Sequence, residues 1–330
     1  MRLPPRHMQR PFRIDSLCGG LILAAVAAAC SSGPTAVTPG QALYVANLYG
    51  NTVTVYAAGA TANATPTATI TLPSGTIGPS NPFGVARDGA GQLYVAANNT
   101  ILVYAAGATG NATSTGTIAG SKTGLSGPRE ILLDAAGRLY VANSGCTPPP
   151  CGSVTVYAAG ATGNATPTVT IAGSNTGLDV PDGIALDAAG QLYVANVLSN
   201  SITVYAAGAT GNATPAVTIA GGNTTLREPA GIALDAAGRL YVANYNLNSI
   251  AVYAAGATGN ATPTFTIEGS NTGLSNPNGI ALDAAGQLYV ANGGNNSVTV
   301  YAAGATGNAS PTATIVGSLT GLNGPTYVAF

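Results

Sequence analysis

The chain has 330 residues, of which 46% are hydrophobic and 6% are charged, and its formal net charge is −1. A nucleic-acid partner requires a basic stripe on the surface, so this composition argues against nucleic-acid binding. The hydrophobic fraction also argues against a disordered chain, because it is large enough to fill a core.

Residues 1–29 have the pattern of an export signal. Four arginines within the first 13 residues precede an apolar run from Leu17 to Ala29, which is too short to span a membrane. Without residues 1–29 the chain carries six basic and ten acidic side chains, a net charge of about −4. We therefore expect an exported protein with very few charges for its size.

The end of this signal, AAACSSG at residues 27–33, resembles the lipidation site of a bacterial lipoprotein. The resemblance implies that Cys30 becomes a lipidated, palmitate-carrying N-terminus and that Ser31 directs the protein to the outer membrane. The alternative is ordinary signal cleavage after Ala29, which would leave a periplasmic or cell-surface protein and make Cys30 incidental. Residues 30–41 are predicted to form a flexible tether, so any membrane contact would be through the lipid anchor alone.

From residue 42 to residue 330 the sequence repeats one unit, which is clearest from Pro277 onward. Four short β-forming segments alternate with turns rich in Gly, Asp and Asn: Gly279–Leu282, Leu288–Ala291, Val298–Tyr301 and Thr312–Ile315. Strands at this spacing predict a four-stranded antiparallel sheet, which is one blade of a β-propeller.

The period of the repeat gives the number of blades. The tyrosine of the second strand recurs every 46–53 residues, at Tyr44, Tyr94, Tyr140, Tyr193, Tyr241 and Tyr289. The first blade lacks its own first strand, whereas Pro325–Phe330 supplies a spare one. The sequence therefore predicts an all-β fold: a six-bladed β-propeller of four-stranded antiparallel blades, with the ring closed by the C-terminal strand joining the N-terminal blade.

The consensus PxGIALDxxGxLYVANxxxNSVTVY resembles the NHL repeat, and its second half also resembles the YVTN-type propeller repeat. The resemblance covers about residues 41–330 and implies the propeller fold. It implies little about function, because such propellers include binding modules, scaffolds and some enzymes. The NHL pattern usually has an acidic residue after YVA, whereas this chain has Asn, as at Asn292, so any acidic role of that position is lost.

Two cysteines lie in the connector of the third repeat, Cys146 and Cys151, with three prolines between them. In an exported protein this loop predicts a local disulfide. The spacing is not CxxC, which argues against a redox site. The single histidine, His7, lies in the export signal, which argues against a metal site in the loop.

No catalytic motif is visible in the sequence. It contains no HExxH, Walker or GxSxG pattern and no histidine for a Ser/His/Asp triad after residue 29. The aspartate repeated in D-x-x-G, as at Asp283, is interpreted as a turn residue rather than part of a carboxylate ring. The asparagine of YVAN is interpreted as a cap of its connector, although a ring lining the channel mouth is the alternative. Asn-x-Thr at Asn164, Asn212 and Asn260 matches a glycosylation sequon and is interpreted as a turn.

Departures from the repeat are better candidates for a site than its copies. The second repeat has Arg87 in place of Leu, and other departures fall at the starts of the first strands, which we expect to line one mouth of the channel. We predict a polar ligand-binding pocket there, formed by Phe83, Arg129, Glu130, Asp182, Asn278, Thr326 and Tyr327, with Asn295 and the Cys146–Cys151 loop at its rim. The alternative is a set of internal ion pairs in which these charges satisfy each other.

Three functions are compatible with this sequence. The favoured one is a non-catalytic, monomeric cell-envelope module that binds an envelope protein or polysaccharide, without a cofactor. The second is a metal-dependent hydrolase, lactonase or lyase, with Ca²⁺ or Zn²⁺ held by Glu130, Asp182 and Asn278. The third is a passive structural role at the cell surface.

Overall fold

The computed structural model describes residues 42–73, 81–145 and 151–330. These residues form six four-stranded antiparallel sheets, so the predicted six-bladed propeller is confirmed. The predicted export signal, tether, Cys30 and Cys146 lie outside the described residues, and lipidation and the disulfide therefore stay predictions. In the described segments there is no helix of sufficient length and apolarity to cross a membrane.

Each blade is numbered here by its place in the chain. Blade 1 contains β1 (Leu43–Asn47), β2 (Thr52–Tyr56), β3 (Ala68–Thr71) and the last strand, β24 (Pro325–Ala329). Blade 2 contains β4 (Pro82–Arg87), β5 (Leu93–Ala97), β6 (Thr100–Tyr104) and β7 (Gly116–Ile118). Blade 3 contains β8 (Pro128–Leu133), β9 (Leu139–Asn143), β10 (Ser153–Tyr157) and β11 (Val169–Ile171).

The remaining three blades repeat this arrangement. Blade 4 contains β12 (Pro181–Leu186), β13 (Leu192–Asn196), β14 (Ser201–Tyr205) and β15 (Val217–Ile219). Blade 5 contains β16 (Pro229–Leu234), β17 (Leu240–Asn244), β18 (Ser249–Tyr253) and β19 (Phe265–Ile267), with a 3₁₀ helix at Tyr245–Leu247. Blade 6 contains β20 (Pro277–Leu282), β21 (Leu288–Asn292), β22 (Ser297–Tyr301) and β23 (Ala313–Ile315).

The two middle strands of each blade carry most of the core. Val45 and Ala46 of β1 and Val53 of β2 are fully buried, and the same positions are buried in the other blades. Side chains on successive positions of a strand point to opposite faces, so a strand that is apolar at successive positions needs cover on both sides. The neighbouring blades provide that cover.

The last strand closes the ring as predicted. β24 pairs antiparallel with β1, with Tyr44 opposite Ala329 and Val45 opposite Val328. The Thr326 hydroxyl donates a hydrogen bond to the Phe83 carbonyl oxygen of blade 2 at 2.7 Å. The closing strand is therefore bonded both to its own blade and to the next one.

Neighbouring blades are joined by a repeated pair of hydrogen bonds, which we call the interblade clasp. Between blades 3 and 4, the Tyr205 hydroxyl donates to the Thr176 carbonyl oxygen at 2.5 Å. The Asn175 N–H donates to Asn212 Oδ1 at 2.7 Å. Asparagines equivalent to Asn212 accept the same backbone bond at four other interfaces: Asn63, Asn164, Asn260 and Asn308. The sequon asparagines thus do more than form a turn, because they bond to the preceding blade.

The repeated Asn and Asp residues have local structural roles. Asn196 is fully buried, its Nδ2 donates to Thr203 Oγ1 at 3.1 Å, and its Oδ1 accepts from the Asp179 N–H at 3.1 Å. Its side chain joins the end of β13 to β14 and to the segment that leads into β12, and its full burial argues against a ring of asparagines that lines the channel mouth. Asp187 Oδ1 accepts the N–H groups of Ala189 and Gln191, as expected of a turn residue.

The innermost strands approach each other through their backbones. A Cβ atom added at Gly183 of β12 would clash with the Ala230 carbonyl oxygen of β16 and lie 2.9 Å from Ile232 N. The equivalent glycines of the other inner strands face similar contacts: Gly84, Gly231 and Gly279. Two blades carry a side chain at this position instead, Glu130 in blade 3 and Tyr327 in blade 1.

Candidate functional site at the channel

The candidate site lies where the six inner strands begin. These strands contact one another in the order β24, β4, β8, β12, β16 and β20, and β20 contacts β24 again. Each begins at a proline that pairs with the end of the second strand, so the starts of the inner strands share one face with the connectors between second and third strands. We call this the connector face, and the opposite one, with the D-x-x-G turns, the turn face.

Tyr327 and Asp182 meet across the axis of the ring. The Tyr327 hydroxyl donates to Asp182 Oδ1 at 2.9 Å. Their strands, β24 and β12, are three blades apart in a ring of six and therefore lie opposite each other. Both side chains are buried, with exposed fractions of 1% and 7%. This bond bridges the channel below the connector face.

Arg129 packs beside this bridge without forming an ion pair. Its guanidinium lies 4.0 Å from the centre of the Phe83 ring, and its Nε donates to Ser144 Oγ at 3.1 Å. The Phe83 ring in turn lies 6.3 Å from that of Tyr327. Within the described segments, ion pairs join Arg138 to Asp134 and Arg239 to Asp235, both in D-x-x-G turns. The structure therefore differs from the predicted alternative of internal ion pairs, because stacking and hydrogen bonds hold Arg129.

Glu130 lies one position further along β8 than Arg129 and is held by the next blade. Its Oε2 accepts the Ile184 N–H of β12 at 2.5 Å. Burial raises the pKa of Glu130 well above its usual value, against the Ile184 hydrogen bond, and nearby Asp182 raises it further. Burial also raises the pKa of Asp182, although Arg129 and the Tyr327 hydroxyl lower it.

The structure thus brings together five of the predicted residues, which we call the channel cluster: Phe83, Arg129, Glu130, Asp182 and Tyr327. Asn278 Oδ1 is buried and has no hydrogen-bond partner in the described part of the chain. Asn295 is exposed on a connector, where its Nδ2 donates to the Gly273 carbonyl oxygen at 3.3 Å. Most polar side chains of the cluster already form hydrogen bonds within the protein. A ligand-binding role for these residues therefore stays a prediction.

The channel cluster does not resemble a metal centre. Across the described ranges, no group of three or more His, Cys, Asp or Glu side chains is placed to hold a metal ion. Glu130 and Asp182 each use one carboxyl oxygen in a hydrogen bond within the protein. A hard cation such as Ca²⁺ takes six to eight oxygen ligands, which this set does not supply. We therefore derive no metal-dependent step from it.

The raised pKa of Glu130 predicts a pH-dependent stability. A carboxyl whose pKa is higher in the folded state stabilises the fold below its ordinary pKa, and that contribution is lost as the pH rises through the raised value. Glu130→Gln keeps an oxygen for the Ile184 N–H and removes the charge. We expect this variant to melt several degrees above the wild type at pH 8, with the difference shrinking towards pH 4.

Thermal unfolding between pH 4 and pH 8 measures this difference. The exposed Glu268→Gln serves as the control and should follow the wild type throughout. A Glu130→Gln variant that melts below the wild type at pH 8, or by a margin that does not vary with pH, would contradict the assignment.

Sequence analysis did not find a cavity at the turn face. It has a volume of about 500 Å³, and its lining includes Glu130 at the inner end and Arg87, Leu234 and Phe330 nearer the turns. One feature of the sequence indicates this cavity: Arg87 occupies the position at which blades 3 to 6 have Leu. That departure was noted, but only the starts of the inner strands were considered as a site.

Comparison with known proteins places the chain in a family. It matches the model of the SMP-30/Gluconolactonase/LRE-like region over residues 30–260 and that of the NHL repeat over residues 274–301. No curated protein matches the chain.

Solved structures share the fold at low sequence identity. A protein of unknown function from Bacteroides caccae has a TM-score of 0.65 and 11% identity, over 88% of this chain and 98% of that chain. A chain of a nidogen/laminin complex has a TM-score of 0.57 and 16% identity, with the same coverage of 88% and 98%. A protein from Lactobacillus plantarum has a TM-score of 0.53 and 19% identity, over 83% and 82%.

These structural likenesses establish the propeller fold, and at such identities they carry no function. The first family model spans more than half of the sequence and most of the blades. The chain therefore belongs to the SMP-30/Gluconolactonase/LRE-like family.

Proposed function

We propose that the protein is a non-catalytic propeller of the cell envelope that binds a protein or glycan partner through its connector face. The observation that carries this proposal is a set of large apolar side chains exposed in the connectors. Tyr49 of blade 1 is 76% exposed, Leu198 of blade 4 is 63% exposed and Leu247 of blade 5 is 46% exposed. Blade 6 has Gly and Asn at the same places, so the fold does not require these residues.

The channel cluster supports binding at a face rather than inside the ring. The Tyr327–Asp182 bridge lies beneath the connectors, and Arg129 is stacked on Phe83 beside it. A partner approaching from this side meets the connectors first. Tyr49 and Leu198 lie on opposite blades, so a partner that contacts both covers the mouth of the channel, and propellers commonly bind proteins.

The test compares two surface variants of the purified protein in pull-downs from envelope extract and from isolated envelope polysaccharide. The face variant is Tyr49→Ser/Leu198→Ser/Leu247→Ser. The control variant is Ala136→Ser/Ala189→Ser/Ala237→Ser, which changes exposed side chains in the D-x-x-G turns of the opposite face. We expect the wild type and the control to retain a partner in one of these fractions and the face variant to lose it.

Two outcomes would overturn the proposal. Loss of the partner in both variants, or in neither, would show that the connector face is not the binding surface. Retention of about one Ca²⁺ or Zn²⁺ ion per chain after dialysis against a weak chelator, lost in Glu130→Ala, would favour the metal-dependent hydrolase instead.

A further inference from the structure

The connectors of blades 5, 6 and 1 form a continuous part of the connector face, which we call the amide sector. It consists of residues 49, 245–248, 276, 293–296 and 323–324. Hydrogen bonds join its parts. Asn276 Nδ2 donates to the Tyr245 carbonyl oxygen at 3.4 Å, and Asn296 Oδ1 accepts the Gly324 N–H at 2.7 Å. The sector therefore extends over three adjacent blades as one connected surface.

Tyr49 presents an exposed aromatic ring at one end of this sector. Its N–H donates to the Asn323 carbonyl oxygen at 3.2 Å, and its ring lies against Gly324, where an added Cβ would clash with the ring. Gly324 has a φ of 61°, but Glu228 and Asn276 keep side chains at the equivalent positions with a positive φ as well. The backbone alone therefore does not require glycine at this position, and its lack of a side chain makes room for the ring.

The connector of blade 6 has no large side chain beside this ring. It begins with Gly293 and Gly294, at the places where blade 1 has leucine and tyrosine. The Gly294 N–H donates to the Ser275 carbonyl oxygen at 3.0 Å, and a Cβ added at Gly294 would lie 2.5 Å from Ser275 Oγ. This connector therefore packs closely on the segment that leads into β20, with exposed Tyr49 and Leu247 on the connectors of the two neighbouring blades.

The side chains of the amide sector are uncharged, and two of its amides are available to a ligand. Asn246 and Asn323 are exposed, and within the described ranges their side chains have no hydrogen-bond partner. An amide group has donors and an acceptor, as hydroxyl groups do, so the two kinds of group pair readily. Arg227 and Glu228 border the sector at blade 5 and have opposite charges. This surface therefore favours a partner rich in hydroxyl groups over a charged one.

We propose that the amide sector binds a neutral glycan chain, an inference that rests on the proposed binding role of the connector face. One sugar packs the C–H groups of its ring face against Tyr49, whose ring is apolar on its faces. The chain crosses the glycines of blade 6 towards Leu247 and continues to Leu198 on blade 4. Its hydroxyl groups bond to Asn246 and Asn323. Tyrosine supplies a large contact at low entropic cost, and asparagine supplies adaptable hydrogen bonds.

Affinity electrophoresis of the purified protein tests this proposal, with envelope polysaccharide separated by anion exchange into a neutral and an acidic fraction. We expect gels containing the neutral fraction to retard the wild type, and gels containing the acidic fraction to leave its migration unchanged. Tyr49→Ala should raise the Kd for the neutral fraction about tenfold, whereas Tyr49→Phe should bind like the wild type because it keeps the ring. Asn246→Ala/Asn323→Ala should raise the Kd about fivefold through the lost hydrogen bonds.

Asn175→Ala/Asn223→Ala is the matched control for the double variant. Both residues are exposed asparagines outside the amide sector, and their backbone N–H groups, which alanine keeps, form interblade clasps. This control should bind the neutral fraction like the wild type.

The proposal is overturned if the neutral fraction does not retard the wild type, if Tyr49→Ala binds it as tightly, or if the control loses as much affinity as Asn246→Ala/Asn323→Ala. Retention of an envelope protein through the connector face, with neither polysaccharide fraction bound, would overturn this inference and leave the proposed function intact. Absence of any partner that depends on the connector face would overturn both.

Discussion

Deletion of residues 325–330 is expected to abolish the cooperative unfolding transition of the propeller. The deletion removes the inner strand of blade 1, including Thr326, Tyr327 and Val328, which have exposed fractions of 2%, 1% and 6%. Loss of one large buried aromatic side chain alone costs about 3–5 kcal/mol, against a total stability of about 5–15 kcal/mol for a typical domain. The deletion also leaves β1 as an open edge, which favours aggregation.

Circular dichroism during heating and size-exclusion chromatography would measure this effect. A shorter deletion of Ala329 and Phe330 is the control, because it keeps Pro325–Val328 and the pairing of Val328 with Val45. We expect this control to elute at the same volume as the wild type and to unfold in a single transition. An unchanged melting temperature after removal of all six residues would disprove the closure of the ring by β24.

Substitution of Gly183 by alanine is expected to lower the free energy of unfolding by about 3 kcal/mol, at the upper end of the usual cost of overpacking. The added Cβ would meet the Ala230 carbonyl oxygen and Ile232 N, which are backbone atoms of the adjacent inner strand and cannot rotate away. The inner strands of blades 4 and 5 would have to separate, and this would disturb the packing around the axis.

Gly222→Ala is the matched control for this substitution. A Cβ at Gly222 meets no atom within 4 Å, so the free energy of unfolding should change by no more than about 0.5 kcal/mol. Urea denaturation of both variants gives the comparison. If both variants match the wild type, the inner strands can move apart freely and backbone contact does not set their spacing.

Repetition is the reason why the fold could be predicted from the sequence. The same strand pattern occurs in six copies, so each copy supports the same blade structure. Blade 1 lacks a first strand and the chain ends with an extra one at Pro325, so the simplest way to close the ring is to pair that last strand with blade 1. The turn role of Asp283 followed from its local context for the same reason. Such contacts involve residues close in the chain, and their geometry is encoded in the short segment around them.

Contacts between blades could not be predicted from the repeated sequence pattern. Asn212 was interpreted as a turn residue because its partner, the Asn175 N–H, lies 37 positions earlier and belongs to the preceding blade. The bond between Tyr327 and Asp182 joins residues 145 positions apart, and it depends on which blades are opposite. Sequence analysis brought the right residues to one mouth of the channel, but it could not show that they bond to each other.

The bond across the axis has a consequence for how the number of repeats is controlled. The interblade clasps relate each blade only to its neighbour, so an extra near-identical blade could join the ring through the same contacts. Tyr327 of blade 1 reaches Asp182 of blade 4 only where two blades lie between theirs on each side of the ring. This hydrogen bond can therefore form in a ring of six blades but not in a ring of five or seven, and it favours the six-bladed ring over the others.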